Sequence, residues 1–154
     1  DVIEKVRFWD SRDQSINELS KDEIKFEYRN SIFQNNPNKI VLKAWLLLKY
    51  SDKNKIWKKM NLIKNQRVLK QPKNLPNSGS VFKRPNGRFV GPMIEELGLK
   101  GFSVGGAKIS EKHAGFIVNY NNATGANILD LIKFIKDLVY EKYQINLETE
   151  QRII

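Results

Sequence analysis

The chain has 154 residues, 40% hydrophobic and 10% aromatic, enough to bury one sizeable core and part of a second domain. It has no cysteine and a single histidine, His113, which excludes a disulfide framework and a thiolate or multi-histidine metal site, and its apolar runs are too short to span a bilayer. Lysines and arginines number 27 against 17 acidic residues, a formal net charge of +10 that nucleic acid, a phosphorylated small molecule and plain solvation all accommodate.

Val2, Val6 and Phe8, with Ile3 and Trp9 nearby, read as a strand that begins in mid-pattern, which points to further sequence before Asp1. The charged decapeptide Asp1 to Asp10 lacks signal-peptide form, so a cytoplasmic location is expected. Ser11 to Ser20 reads as a polar connection. Phe26 to Phe33 is an aromatic-flanked segment centred on Arg29, which by itself fits a surface turn as well as a binding site. After a turn around Pro37, Ile40 to Leu48 is almost continuously apolar and predicts a strand buried on both faces. Asp52 is placed to cap a helix in which Ile56, Met60 and Ile63 recur at helical spacing with Trp57 alongside. Its opposite face and its exit carry Lys53, Lys55, Lys58, Lys59, Lys64, Arg67, Lys70 and Lys73.

Pro72 and Pro76 hold Gln71 to Ser78 extended and deliver the chain into Ser78-Gly79-Ser80-Val81-Phe82-Lys83-Arg84-Pro85-Asn86. There a hydroxyl stands at the mouth of a short apolar strand, among cations, behind a permissive glycine. Asn86-Gly87 makes a turn, and Phe89, Val90, Met93, Ile94 and Leu97 form the apolar face of a short helix stopped by Gly98. Phe102 to Ser110 and Gly115 to Tyr120 predict a hairpin, with Gly105-Gly106 a bulge or a close backbone approach. Thr124 caps the longest helix, whose apolar stripe is Ile128, Leu131, Ile132, Ile135, Leu138 and Val139. Ile145 to Ile154 alternates as a strand would. Strands outnumber helices without strict β-α alternation, which predicts an α+β, two-layer architecture: a mostly antiparallel sheet with helices packed on it.

Four stretches together resemble the flavin-dependent UDP-N-acetylenolpyruvoylglucosamine reductases of peptidoglycan synthesis. They are Tyr28-Arg29-Asn30-Ser31, Gly79-Ser80-Val81-Phe82-Lys83-Arg84-Pro85, Gly105-Gly106-Ala107 with Ser110-Glu111-Lys112-His113-Ala114, and Leu147-Glu148-Thr149-Glu150-Gln151-Arg152. The resemblance is to the C-terminal half. It implies the tail end of an FAD-binding domain in residues 1–49 and a substrate-binding domain in residues 50–154. The glycine-rich flavin segment would lie before Asp1, so the missing N-terminal FAD-binding region is an expected partner and the chain alone should not turn over. About fifty residues separate Arg29 from Ser80, too few for the tyrosine-bearing loop of one subclass.

The implied reaction uses NADPH to reduce FAD and passes hydride on to a UDP-sugar enolpyruvate, giving UDP-N-acetylmuramate. In it, Ser80 resembles the proton donor, Arg29 the arginine that holds the substrate carboxylate, and Glu150 the active-site glutamate. Tyr28, Lys70, Lys83, Arg84 and His113 match substrate-contacting positions. His113 stands where other members carry glutamine and Arg84 where they carry asparagine. A basic nucleic-acid-binding module is the competing reading, motivated by the charge. Against it, the aromatics lie in apolar faces rather than among the lysines.

Overall fold

Residues 2–153 are described by a computed structural model; Asp1 and Ile154, the ends of the expected first domain and last strand, lie outside the described residues. The chain forms two units that divide between Ile56 and Trp57.

The first unit is built on β1 (Ile3–Asp10), whose side chains alternate so that Val6, Phe8 and Asp10 are buried while Arg7 points to solvent. It pairs antiparallel with β2 (Ser15–Ser20) and with β3 (Lys39–Leu46), giving the order β2-β1-β3. The expected polar connection is therefore half strand. Glu18 of β2 sits opposite Arg7 and accepts from Lys5 Nζ at 2.6 Å and Arg7 Nη2 at 2.6 Å, so charge complementarity stands in for apolar alternation. Two single-turn helices follow β2. In α1 (Lys21–Ile24) the Glu23 carboxylate accepts from the Ser20 amide, and α2 (Ile32–Asn35) is capped by Ser31. Ile24 is fully buried, and Phe33 meets Phe8 edge-to-face with ring centroids 5.6 Å apart.

The apolar run expected to be buried on both faces is instead an exposed edge strand: Ile40, Val41, Leu42, Leu46, Leu47 and Leu48 are all exposed. Three strands and two single-turn helices supply too little cover for it. The helix α3 (Lys53–Lys70) departs from expectation in the same way. Its N-terminus forms as read, with Asp52 Oδ1 accepting from the Lys55 amide at 3.0 Å, but Ile56, Trp57, Met60 and Ile63 are as exposed as the lysines.

The second unit has a core of its own. Apolar residues of α4 (Val90–Glu96), α5 (Gly125–Tyr143) and the three-stranded antiparallel sheet β4 (Ser103–Val104), β5 (Ala107–Ile109) and β6 (Ile117–Asn119) pack into one cluster. The stripe of α5 behaves as its spacing predicts: Leu131, Ile132, Ile135 and Val139 are buried, with Ile128 and Leu138 at the margin. Thr124 Oγ1 caps it by accepting from the Asn127 amide at 3.2 Å.

Gly105 and Gly106 do not bulge a long strand. They are the two-residue turn of a β4-β5 hairpin, with Val104 paired to Ala107 and Gly105 at φ +53°. The close approach expected there is present, since a Cβ on Gly106 would fall 2.0 Å from the Asn121 carbonyl oxygen. The C-terminal segment is not a full strand; it contributes one bridge, Thr149 to Phe82, with Leu147 buried in the core. Antiparallel sheets with helices on them make the architecture α+β, as expected.

Candidate functional site

The stretch from Gly79 to Lys83 is laced between two parts of the second unit. Gly79 takes φ +83° and donates its amide to Asn77 Oδ1, while Asn77 Nδ2 donates to the Pro72 and Leu75 carbonyls and so folds the proline-bounded approach. On one side Ser80 bridges Phe116, and the Val81 amide donates to the Gly115 carbonyl at 3.0 Å. On the other, the Glu150 amide donates to the Val81 carbonyl at 2.8 Å and the Lys83 amide to the Glu148 carbonyl at 2.9 Å. Val81 and Phe82 are buried and anchor this seam, leaving Ser80 exposed and Glu150 half-buried. The bridge from Phe82 to Thr149 puts Val81 across from Glu150 and Ser80 across from Gln151, whose Nε2 donates to the Gly79 carbonyl. Ser80 and Glu150 thus stand one register step apart. By the two-residue period of extended chain, Ser80 shares a side with Gln151 and Glu150 with Val81.

Lys83 and Arg84 leave the seam at a polar hollow of about 380 Å³, which they line with Asn86, Gln144, Asn146 and Glu148. Lys83 pairs with the Glu148 carboxylate, and the Arg84 guanidinium lies 4.1 Å from the centroid of the Phe89 ring.

Lys70 and His113 meet at a second hollow, of about 220 Å³, together with Ile63, Gln66, Arg67 and Gln71. The imidazole is held on several sides. Its Nδ1 accepts from the Gly115 amide at 3.0 Å, it meets Phe116 edge-on at 4.9 Å, and a Cβ on Gly115 or Gly91 would come within 3.0 or 3.4 Å of its Cε1. With Nδ1 accepting, the neutral ring carries its proton on Nε2 and is a donor there. The motif reading passed over Arg67 and Gln66. The signal for Arg67 is its place three residues before Lys70, on one side of α3.

A third hollow, of about 460 Å³, has Val68, Pro72, Leu75 and Val118 as its apolar lining and Lys73, Lys108 and Lys112 among its polar groups. No sequence motif announces it, because its lining comes from four separate stretches.

Arg29 and Tyr28 belong to the first unit. They form the tip of a tight turn closed by mutual hydrogen bonds between Glu27 and Asn30, with Arg29 at φ +56°, a left-handed conformation uncommon for a residue with a side chain. Both are exposed, and the Arg29 guanidinium lies 5.4 Å from the Tyr28 ring centroid. Among the described residues no group of three His, Asp or Glu side chains is placed to hold a metal ion, and no helix is long and apolar enough to cross a membrane.

Comparison with known proteins gives a consistent answer. The family model for the C-terminal domain of UDP-N-acetylenolpyruvoylglucosamine reductase matches residues 71–154. A protein named UDP-N-acetylenolpyruvoylglucosamine reductase from Fervidobacterium nodosum is 51% identical over 153 residues, covering 99% of this chain and 48% of the relative. One of the same name from Thermosipho melanesiensis is 46% identical over 154 residues, covering 99% of this chain and 52% of the relative. The crystal structure of the reductase of this name from Thermus caldophilus superposes with a TM-score of 0.82 at 33% identity, over 99% of this chain and 53% of that one. The chain spans about half the length of the curated relatives it matches.

Proposed function

The chain belongs to the UDP-N-acetylenolpyruvoylglucosamine reductase family, and on that premise we propose that it supplies the substrate-binding part of a reductase acting on a UDP-sugar enolpyruvate in peptidoglycan synthesis. In this reading residues 1–49 finish an FAD-binding domain and residues 50–154 form the substrate domain. FAD, reduced by NADPH, is the hydride source and is bound mostly by sequence outside this chain. The three hollows described in the second unit, of about 220, 380 and 460 Å³, are of a size for a nucleotide or sugar group rather than a flavin dinucleotide.

When hydride adds to the terminal methylene of the enolpyruvyl group, the carbon beside the carboxylate gains an electron pair and must be stabilised and then protonated. Ser80 gives that proton. It needs only reach and orientation toward so basic a centre, and its exposure on an anchored seam supports that reading. Arg29 holds the substrate carboxylate, where a planar fork of donors strengthens its grip as charge accumulates, with Tyr28 beside it. Glu150 is assigned to the same charge by its match to the family's glutamate. Its amide is tied to the Val81 carbonyl one register step from Ser80, and its side chain leaves the seam on the side opposite to the serine, so to act there it must reach around the seam. Lys70, Arg84, Lys83 and His113 bind the diphosphate and sugar, two of them lining each of two hollows.

The observation that carries the reading is the ladder that ties residues 79–83 to residues 148–151, bringing two of the matched stretches into adjoining register. To test it, the N-terminal half of the Fervidobacterium relative is supplied to the chain, and NADPH oxidation is followed with and without UDP-N-acetylglucosamine enolpyruvate. Ser80→Ala should leave flavin reduction intact and slow substrate reduction by about 10²-fold or more. A Ser80→Ala enzyme that reduces substrate at the wild-type rate overturns the assignment.

A further inference from the structure

Carbonyls in the last turn of α3 have no partner further along the helix, and the structure gives one of them an unusual one. The Lys112 ammonium reaches across from the 110–115 turn and donates to the Val68 carbonyl at 2.7 Å. A cation at this end also complements the helix dipole. The lysine itself is held at its root, because the buried Ser110 Oγ accepts from the amides of both Lys112 and His113, at 3.2 and 3.3 Å. One tight turn therefore fixes two things at once. His113 is locked by Gly115, and the next residue back grips the helix end that carries Arg67 and Lys70, which line the hollow facing His113.

We propose that Lys112 is a positioning residue: it clamps the C-terminal turn of α3 to the 110–115 turn and so sets Arg67 and Lys70 against the Nε2 donor of His113 as one anion-binding group. The proposal rests on the reading of this hollow as the diphosphate site. Nothing else described on α3 performs this task, since the helix buries no described residue of its own and has little apolar packing to hold its end in place. Arg67 and Lys70 are long and flexible, and two such cations bind an anion well only when their helix is held at a fixed distance from the third donor.

Lys142 provides an internal control. Its ammonium donates to the Glu96 carbonyl at 3.2 Å, at the end of α4, a bond of the same kind outside the residues lining this hollow. The whole chain is prepared with Lys112→Met, Lys112→Arg and Lys142→Met, and two quantities are measured. The first is amide hydrogen exchange of residues 67–71 without ligand. Lys112→Met should exchange faster there, and Lys112→Arg and Lys142→Met should match wild type; unchanged exchange in Lys112→Met overturns the clamp whether or not any nucleotide binds. The second is the dissociation constant for UDP. Lys112→Met should weaken it about 3- to 10-fold, the equivalent of one net hydrogen bond, with Lys112→Arg restoring it.

The loss should persist in about 0.5 M salt, where a through-space effect of the missing charge is screened. Equal losses in Lys112→Met and Lys142→Met, or a loss that vanishes in salt, overturn the positioning role. A wild-type chain that binds no UDP counts against the diphosphate reading, and the exchange result still decides the clamp.

Discussion

Among the described residues the first unit buries three apolar side chains outright, Val6, Phe8 and Ile24, whereas the second packs fifteen into one cluster around α5. The first makes up part of the difference with charge. Asp10 is buried between Arg12 and Lys39, accepting from Arg12 Nη2 at 2.8 Å and Lys39 Nζ at 2.8 Å, and Glu18 accepts from Lys5 and Arg7. The contrast teaches where each unit can be broken. Burying an aliphatic side chain contributes about 1.5 to 3 kcal/mol, so the second unit rests on many additive terms of that size. The first depends on a few groups whose protonation state matters.

The largest effect that would sharpen this contrast is in the helix stripe. Leu131 is fully buried, and Leu131→Ala should cost the second unit about 2 to 5 kcal/mol, from lost transfer energy and the cavity left behind. Denaturant unfolding followed by the helical circular dichroism signal measures it. A cost under about 1 kcal/mol would mean that the cluster is loose and the contrast false.

The parts of the fold that were legible in the sequence are those in the second unit where local pattern and burial agree. The α5 stripe, the Thr124 cap, the Val90, Met93 and Ile94 part of the α4 face and its Gly98 stop form as their spacing predicts, because each needs only neighbours within the same unit. Phe89, expected on that face, precedes the helix and stays exposed. What misled was residue type read without a partner. Ile40 to Leu48 looks like a doubly buried strand, and Ile56, Met60 and Ile63 like a helix's inner face, yet hydrophobicity states only that a surface wants covering, not that cover is present. β2 was missed for the opposite reason, since its strand-forming signal is Glu18 facing Lys5 and Arg7 across the sheet. At the site, the choice of the Ser80 stretch and of residues 147–152 followed from motif matching, while the backbone ladder between them did not. Arg67 and Lys112 did not, because their roles come from the end of a helix meeting a distant turn.

Acid should attack the first unit ahead of the second. The carboxyls of Asp10, Asp13, Glu18 and Glu23, all in the first unit, are held below their ordinary values. The causes are hydrogen bonds from Arg12 and then Lys39 to Asp10, from Ser15 to Asp13, from Lys5 and then Arg7 to Glu18, and from Ser20 to Glu23. A lowered folded-state value gives stability that is complete above the unfolded carboxylate range of about 4 and is lost as pH falls through the folded value. Trp9 and Trp45 lie in β1 and β3, so an acid titration of tryptophan fluorescence should show a transition below about pH 4 that Asp10→Asn flattens. A transition of wild-type size in Asp10→Asn would show that the Asp10 cluster is not what the unit depends on.

The smallest effect compares one helix cap in each unit. Thr124 caps a helix of 19 residues that is anchored by four buried side chains, so Thr124→Ala should cost about 0.5 to 2 kcal/mol and leave α5 in place. Ser31 caps α2, a single turn, accepting from the Phe33 amide at 3.3 Å and donating to Gln34. Ser31→Ala removes a bond of similar worth, but there it is a large share of what orders α2, holds Phe33 against Phe8 and fixes the turn bearing Arg29 two residues earlier. The two variants should therefore differ less in free energy than in local order: amide exchange in residues 27–35 should rise sharply in Ser31→Ala, while exchange along α5 in Thr124→Ala rises only in its first turn. Equal spreading of the two effects would mean that the first unit is as well braced as the second. Confined loss in Thr124→Ala and general loss in Ser31→Ala would make the serine of Tyr28-Arg29-Asn30-Ser31 the element that gives a strained arginine a fixed place to stand.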